Sequence, residues 1–204
     1  MPTVVDCTVV FDPVKILQDH STQAAQPTQS TPASTGSGNA GSDNAGTDKG
    51  TSNDKWIPLK YSGRSYLFLL APADNIAKTT NQDAIEASND LRVIVKVGDI
   101  LRLRTTSLAL QRDNQCFIEQ IDIASGDLCI TPPTQERRTS TSTAIDPTVA
   151  TLDQVKPVPL IDNCWEFTAI QTGLASANMK FRIYDDKAAL RGNFACALWY
   201  MVQP

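Results

Sequence analysis

The segment from Ser21 to Asp54 constrains the fold more than any other feature of the sequence. It contains Ser, Thr, Gly, Ala, Asn, Gln, Pro, Asp and a single Lys, and it has no Val, Ile, Leu, Met, Phe, Tyr, Trp or Cys. Such a segment cannot bury enough apolar surface to offset the entropy lost on ordering. We therefore predict a disordered low-complexity insertion at residues 21–54 within a single domain that spans residues 1–204, since long surface loops cost little closure entropy.

Outside this insertion, short apolar stretches recur along the chain, and several alternate with polar residues in the period of a half-buried strand. The absence of a long helical period predicts an all-β fold, an antiparallel β-sandwich of about nine or ten strands with little helix. The predicted strands are Val5–Phe11, Trp56–Tyr61, Tyr66–Leu70, Leu91–Val97, Leu101–Arg104, Phe117–Ile123, Leu128–Thr131, Trp165–Ala169, Met179–Ile183 and Phe194–Val202.

Short sequence motifs predict the structure of the connections between these strands. Asp12-Pro13 predicts a helix cap followed by a short turn of helix, and Ser62-Gly63-Arg64 predicts a tight hairpin between its two flanking strands. Gly98-Asp99 predicts a bend or bulge with Arg102 and Arg104 on the outer face, although Asp99 could instead pair with these arginines. Asn81–Ser88 is a candidate short helix, and Pro132–Gln154 is predicted to be a solvated polar loop.

The predicted last strand, Phe194–Val202, is apolar on both faces. A strand of this kind must be covered by the opposite sheet and by a second layer. That layer is either a second subunit, which would make a homodimer through this strand, or a loop of the same chain.

Charge and hydropathy exclude several classes of partner. A net charge of −4 argues against nucleic acid, because affinity for the phosphate backbone requires many Lys and Arg residues. The longest apolar run is Phe194–Val202, too short for a membrane-spanning helix, and no standard signal peptide begins the sequence. The five cysteines are scattered, which favours free buried thiols in the reducing cytoplasm over a disulfide framework.

No residue pattern predicts catalysis, and we expect a protein that is not an enzyme. The only histidine, His20, borders the predicted insertion, where a general base could not be held rigidly. Asp185-Asp186 is the clearest carboxylate pair, yet it is more simply a polar turn between two strands. The glycines at positions 36–50 lack the strand-to-helix context of a phosphate loop.

One hypothesis for a ligand site remains. Asp and Asn residues at the predicted strand ends could supply oxygens to a glycan or to Ca²⁺, and an aromatic ring could face a sugar. The speculative ligand-binding residues are Asp162, Asn163, Trp165, Asp185, Asp186 and Asn193.

The stretch Val97-Gly98-Asp99-Ile100-Leu101-Arg102-Leu103-Arg104 carries a family resemblance. With Val5–Val10, Ile130-Thr131-Pro132-Pro133, the Trp165 strand and the aromatic last strand, it resembles the bacterial PixA/AidA family of inclusion-body proteins. The resemblance implies an immunoglobulin-like sandwich, cytoplasmic expression, and in some members accumulation as inclusions or quorum-sensing control in host-associated bacteria. The Trp-Asp-Pro sequence common near the family's end is absent here.

Two functions therefore stay open. The chain is either a binding module for a glycan or another surface ligand, or a self-assembling structural or storage protein that accumulates as cytoplasmic inclusions.

Overall fold

The structure is a computed structural model that describes residues 2–20, 55–60, 65–76, 87–88, 92–108, 113–145 and 155–204. The predicted insertion at residues 21–54 lies outside the described residues, so its disorder stays a prediction. Among the described residues, no helix is long and apolar enough to cross a membrane.

Strands dominate the described part of the chain. One short α-helix, α1, spans Pro13–Asp19 and follows the first strand. The strands are β1 Val4–Phe11, β2 Ile57–Pro58, β3 Leu67–Leu70, β4 Ala87–Ser88, β5 Arg92–Lys96, β6 Ile100–Ser107, β7 Asn114–Ser125, β8 Thr134–Ile145, β9 Val155–Thr168, β10 Gly173–Asp185 and β11 Leu190–Gln203.

The strands form two sheets. Sheet A has six strands in the order β4-β3-β1-β6-β9-β8, and sheet B has five, in the order β2-β11-β10-β7 with β5 also paired to β11. The predicted all-β sandwich is confirmed. The sheets are mixed rather than wholly antiparallel, because β1 pairs in parallel with β6, and β11 pairs in parallel with both β2 and β5. These parallel neighbours are far apart in sequence, so the chain crosses over between them.

The core lies between the two sheets and is built from the inward-facing residues of each. Phe11 of sheet A contacts Phe181 of sheet B with ring centroids 4.6 Å apart, and Phe194 packs on Phe181 at 5.8 Å. Alternate residues of β11, from Phe194 to Val202, are buried in the same core. The five cysteines are buried and free, as the sequence predicts.

Two of the local signals are confirmed. The Oδ1 atom of Asp12 accepts a hydrogen bond from the backbone N–H of Lys15 at 3.0 Å, which caps α1. Gly98 has φ +94°, a conformation that favours glycine, and the Asp99 carboxylate accepts from the backbone N–H of Lys96 at 2.9 Å. Asp99 therefore stabilises the bend between β5 and β6, as the structural interpretation of this motif predicts.

The predicted tight hairpin at Ser62-Gly63-Arg64 is wrong. The strand before it, β2, pairs with β11 in sheet B, whereas the strand after it, β3, pairs with β1 in sheet A. The chain thus passes from sheet B to sheet A between Pro58 and Leu67, and residues 62–64 themselves lie outside the described part. The candidate helix at Asn81–Ser88 is wrong where it can be checked, because Ala87–Ser88 is a strand paired with β3. Its other residues lie outside the described part.

The predicted polar loop at Pro132–Gln154 is also wrong over most of its described length. Thr134–Ile145 forms β8, which pairs with β9 through twelve residues, from Thr134↔Glu166 to Ile145↔Val155. Thr residues favour strands. Pairing with β9 satisfies backbone hydrogen-bonding groups of β8, although its side chains are largely exposed.

Candidate functional site

The outer face of sheet A gathers the largest group of charged side chains in the described structure. Leu101 and Leu103 of β6 point into the core, so Arg102 and Arg104 point outward, because successive strand residues face opposite sides. The parallel register places Asp6 of β1 beside Arg102, and the antiparallel register places Glu166 of β9 on its other side.

Each arginine of this group has carboxylate partners. Arg102 donates from Nε to Glu166 Oε1 at 2.5 Å, and Arg138 donates from Nη2 to Glu166 Oε2 at 2.8 Å. Arg104 donates to Asp162 through Nε at 2.8 Å and Nη2 at 2.7 Å, and it also binds Asp6. We call these six side chains the sheet A ion network: Asp6, Arg102, Arg104, Arg138, Asp162 and Glu166.

The network has three positive and three negative side chains, so its charges balance. The Arg104 guanidinium, which hydrogen-bonds Asp162, holds the pKa of that carboxyl below its usual range, although partial burial opposes this shift. The same hydrogen bond raises the pKa of Arg104. Because the carboxylates are already bound by arginines, this arrangement crosslinks β1, β6, β8 and β9 and is suited to stabilising the sheet.

Three of the six predicted ligand residues lie on β9. Asp162 belongs to the ion network, and Asn163 is its exposed neighbour on the strand. Trp165 packs against the core, and its Nε1 donates to the backbone oxygen of Ile118 at 3.4 Å, so its ring is largely turned away from solvent. The expectation that Asp162 and Asn163 end a strand is wrong, because β9 begins at Val155 and runs through both.

Of the other three, Asp185 ends β10 of sheet B, Asp186 is exposed in the turn that follows, and Asn193 lies on β11. Asp185 Oδ1 accepts from the backbone N–H groups of Lys187 and Ala189, at 3.0 and 2.8 Å. The hydrogen bond from Ala189, above all, lowers the pKa of Asp185. These contacts support the interpretation of Asp185-Asp186 as a polar turn.

Asn193 lies on β11 opposite Arg182, and its Oδ1 is buried without a hydrogen-bond partner among the described atoms. The six predicted ligand residues are thus divided between the two sheets. No described group of three His, Cys, Asp or Glu side chains is arranged to hold a metal ion. A joint glycan or Ca²⁺ site remains a prediction.

His20 differs from the prediction of a mobile position, because its side chain is only 1% exposed. Its Nδ1 lies 2.9 Å from the backbone oxygen of Ile16, and its ring packs edge-on against Tyr66 and Phe194. Pro13, Ile16 and His20 follow the helical spacing of one buried face, a signal that the sequence contained. His20 is therefore part of the packing between α1 and the core.

The sequence predicts an apolar outer face for the last strand, and it does not predict that Leu174 of β10 adds to this surface. Trp199 is 47% exposed on the outer side of β11, and Leu174, opposite Met201 on β10, is 63% exposed. Trp199, Met201 and Leu174 share one face of the sheet because they lie at alternate or directly opposite positions. We call these three residues the Trp199 patch.

The outer layer predicted for Phe194–Val202 can now be described in part. Strand β11 is paired on both edges, by β10 on one side and by β2 and β5 on the other. A second subunit could therefore reach it through the outer face, where the Trp199 patch lies, and could not extend the sheet at this strand. The homodimer itself stays a prediction.

A family model and a solved structure both relate this chain to PixA. The family described as PixA, inclusion body protein, matches residues 45–199. The crystal structure of the inclusion body protein (PixA) from Burkholderia cenocepacia J2315 is 18% identical, with a TM-score of 0.62, covering 99% of this chain and 97% of that chain. The solution structure of Amebosin matches at 10% identity over 55% of this chain and 88% of that chain, with a TM-score of 0.23, too low to support an argument. No curated protein matches the chain.

Proposed function

Because this chain belongs to the PixA family of inclusion body proteins, we propose that it accumulates in the bacterial cytoplasm as inclusions, formed when folded copies associate with one another. The family match over residues 45–199 carries this proposal. It favours the self-assembling alternative over the glycan-binding module, because the description of the family refers to inclusions and to no ligand or reaction.

The surface of the fold supports association between copies. The Trp199 patch places a half-exposed indole beside Leu174 on a sheet face, and aromatic side chains of this kind are enriched at protein interfaces. A homodimer through the outer face of Phe194–Val202 would cover this patch. The host-association and quorum-sensing links that the family resemblance implies concern expression of the gene, and they stay predictions.

The chemistry of the described residues offers little to a nucleophilic mechanism. Burial raises the pKa of Cys7 to about 12 and that of Cys196 to about 12, so both stay as thiols at neutral pH. The only histidine, His20, is enclosed in the core.

The test is to express the full chain in a bacterial cytoplasm and to isolate any dense inclusions. Inclusions of folded protein should dissolve without denaturant and yield a β-rich, cooperatively unfolding chain, whereas misfolded aggregates need denaturant. Sedimentation at rising concentration should show reversible association. A chain that stays soluble in the cell and monomeric at about millimolar concentration would overturn the proposal, since any association would then be weaker than about 4 kcal/mol.

A further inference from the structure

Strand β8 is the longer of the two edge strands of sheet A among the described strands, the other being β4. It ends the order β4-β3-β1-β6-β9-β8, and it runs for twelve residues, or about 40 Å. An edge strand presents a row of unpaired backbone N–H and C=O groups, to which another strand can pair.

The far half of β8 also extends beyond the backbone pairing of β6 with β9. Strand β6 pairs with β9 only between Trp165 and Thr168, so Thr139–Ile145 and Val155–Ile161 have backbone pairing with each other alone in the described structure. We call these two segments the β8–β9 arm. A two-stranded ribbon is marginally stable in water without further packing, which favours a partner for the arm.

The two edges of the arm differ. Pro157 and Pro159 lie on β9 and have no N–H to donate to a further strand. Strand β8 has neither proline nor glycine, and its charged residues are confined to Glu136, Arg137 and Arg138. The β8 edge therefore lacks the usual protection of an edge strand over its uncharged half, Thr139–Ile145.

The arm carries exposed apolar side chains at the same place. Leu160 is 48% exposed and pairs with Ser140, and Ile161 is 67% exposed and pairs with Thr139. A strand added beside β8 would bring side chains next to this exposed surface.

The sequence of β8 is compatible with a second copy of itself. In an antiparallel pair with Ser140 on the two-fold axis, Arg138 faces Ser142, Arg137 faces Thr143 and Glu136 faces Ala144, so no like charges are opposed. A parallel pair in register would instead set each arginine against its own copy. Antiparallel pairing also brings Thr and Ser residues together, which favours cross-strand contacts.

We propose that β8 pairs antiparallel with β8 of a second copy, around a two-fold axis at Ser140 or at Thr139, so that two six-stranded sheets become one continuous sheet. This contact forms a closed dimer, because a two-fold interface uses the same patch on both copies. The proposal rests on the self-association proposed above, for which this dimer is the building block, and larger assemblies then use other surfaces.

The first test is Ser140→Lys. If Ser140 lies on the axis, the new lysine of one copy faces the new lysine of the other. If Thr139 lies on the axis, the new lysine faces Arg138 of the other copy. In both registers, positive charges are therefore opposed. We expect the dissociation constant of the dimer, measured by sedimentation, to rise by about fivefold or more. The matched control is Thr3→Lys, which adds the same charge at an exposed position before β1, outside both β8 and the Trp199 patch. Circular dichroism establishes that both variants fold.

The second test is a spin label on Ser140→Cys. The five native thiols are buried, so the label should react at the new position. Dipolar broadening should appear in the dimer and disappear when unlabelled chain is in excess, because the two labels lie within two residue positions across a strand pair. A label on Thr3→Cys, at an exposed position outside both surfaces, should show no dipolar broadening.

The β8 pairing would be overturned if Ser140→Lys associated like the wild type and the label at position 140 showed no dipolar broadening. If inclusions still form in that case, the proposed function stands without it. If the β8 dimer forms and the cell contains no inclusions, the pairing stands and the proposed function fails.

Discussion

The guanidinium of Arg104 binds the carboxylate of Asp162 through two hydrogen bonds, Nε to Oδ1 at 2.8 Å and Nη2 to Oδ2 at 2.7 Å. Both side chains are under one third exposed, so solvent weakens the pair only in part. This pair ties β6 to β9 just beyond the last backbone pairing of the two strands, Leu103↔Trp165.

Asp162→Asn should therefore destabilise the fold. The substitution removes the charge that faces Arg104 and one of the two acceptor oxygens, and we expect the free energy of unfolding to fall by about 1–2 kcal/mol. Urea denaturation measures this change. Asp186→Asn, in the exposed turn after β10, is the control and should change stability by less than about 0.5 kcal/mol. Equal losses would contradict the role of the pair.

The same pair predicts a pH dependence. The pKa of Asp162 is lower in the folded chain than its ordinary value of 3.8, so the unfolded chain binds more protons in acid. The contribution of Asp162 is thus complete above pH 3.8 and is lost as the pH falls through the lower folded pKa. The stability difference between wild type and Asp162→Asn should shrink toward about pH 2. A difference that stays constant with pH would show that charge is not its cause.

Gly126→Ala should be strongly destabilising. Gly126 has φ +73°, and an added Cβ would lie 2.3 Å from the backbone oxygen of Leu174 and 2.7 Å from Cα of Ala175. We expect a loss above about 2 kcal/mol, from strain and from displaced backbone. Gly98→Ala is the comparison, because Gly98 also has positive φ but open space around its Cα, and it should lose about 1 kcal/mol. The melting temperatures of the two variants measure both losses. The strain of positive φ is common to both positions, so the additional loss at Gly126 reports the steric clash.

The five cysteines should resist thiol reagents in the folded protein. All are buried, and burial raises the pKa of Cys7 and Cys196 to about 12, which leaves almost no thiolate at pH 8. Titration with an aromatic disulfide reagent should show five reactive thiols in denaturant and slow reaction without it. Rapid native labelling of even one cysteine would reveal that its strand opens readily.

Trp199→Ser should weaken association between copies if the Trp199 patch is an interface. Loss of a half-exposed indole that becomes buried should raise the concentration needed for assembly by about tenfold. Phe117→Ser is the control, because Phe117 is 50% exposed on β7, outside the patch. If both variants assemble alike, general surface hydrophobicity and not the patch controls association.

The strands that the sequence predicts well are those with one buried face. In β1 and β10, alternate residues enter the core. Because the buried positions are apolar, the sequence shows an alternation with a period of two residues. Strand β8 was missed because its side chains are largely exposed on both faces, and its Thr and Ser residues resemble those of a loop. Its structure depends on pairing with β9, which leaves no hydropathy signal.

The pairing of strands that are distant along the chain could not be predicted from the sequence, for a similar reason. The alternation of β6 predicts that Arg102 and Arg104 point outward, which the structure confirms. Their partners Asp6 and Asp162 are set by strand order and register, and neither can be read from local spacing. The turn signal at residues 62–64 indicates a change of direction and does not specify which sheet the chain enters next.

The position of β11 has a consequence for how the chain folds during synthesis. Strands β2 and β5 both pair with β11, yet they leave the ribosome long before it. Until β11 emerges, these two strands lack their partner and β10 lacks one of its two neighbours in sheet B, so apolar side chains stay exposed to solvent for longer. The time taken to translate the stretch between β5 and β11 should therefore affect how many newly made chains reach the native sandwich and how many misfold and aggregate.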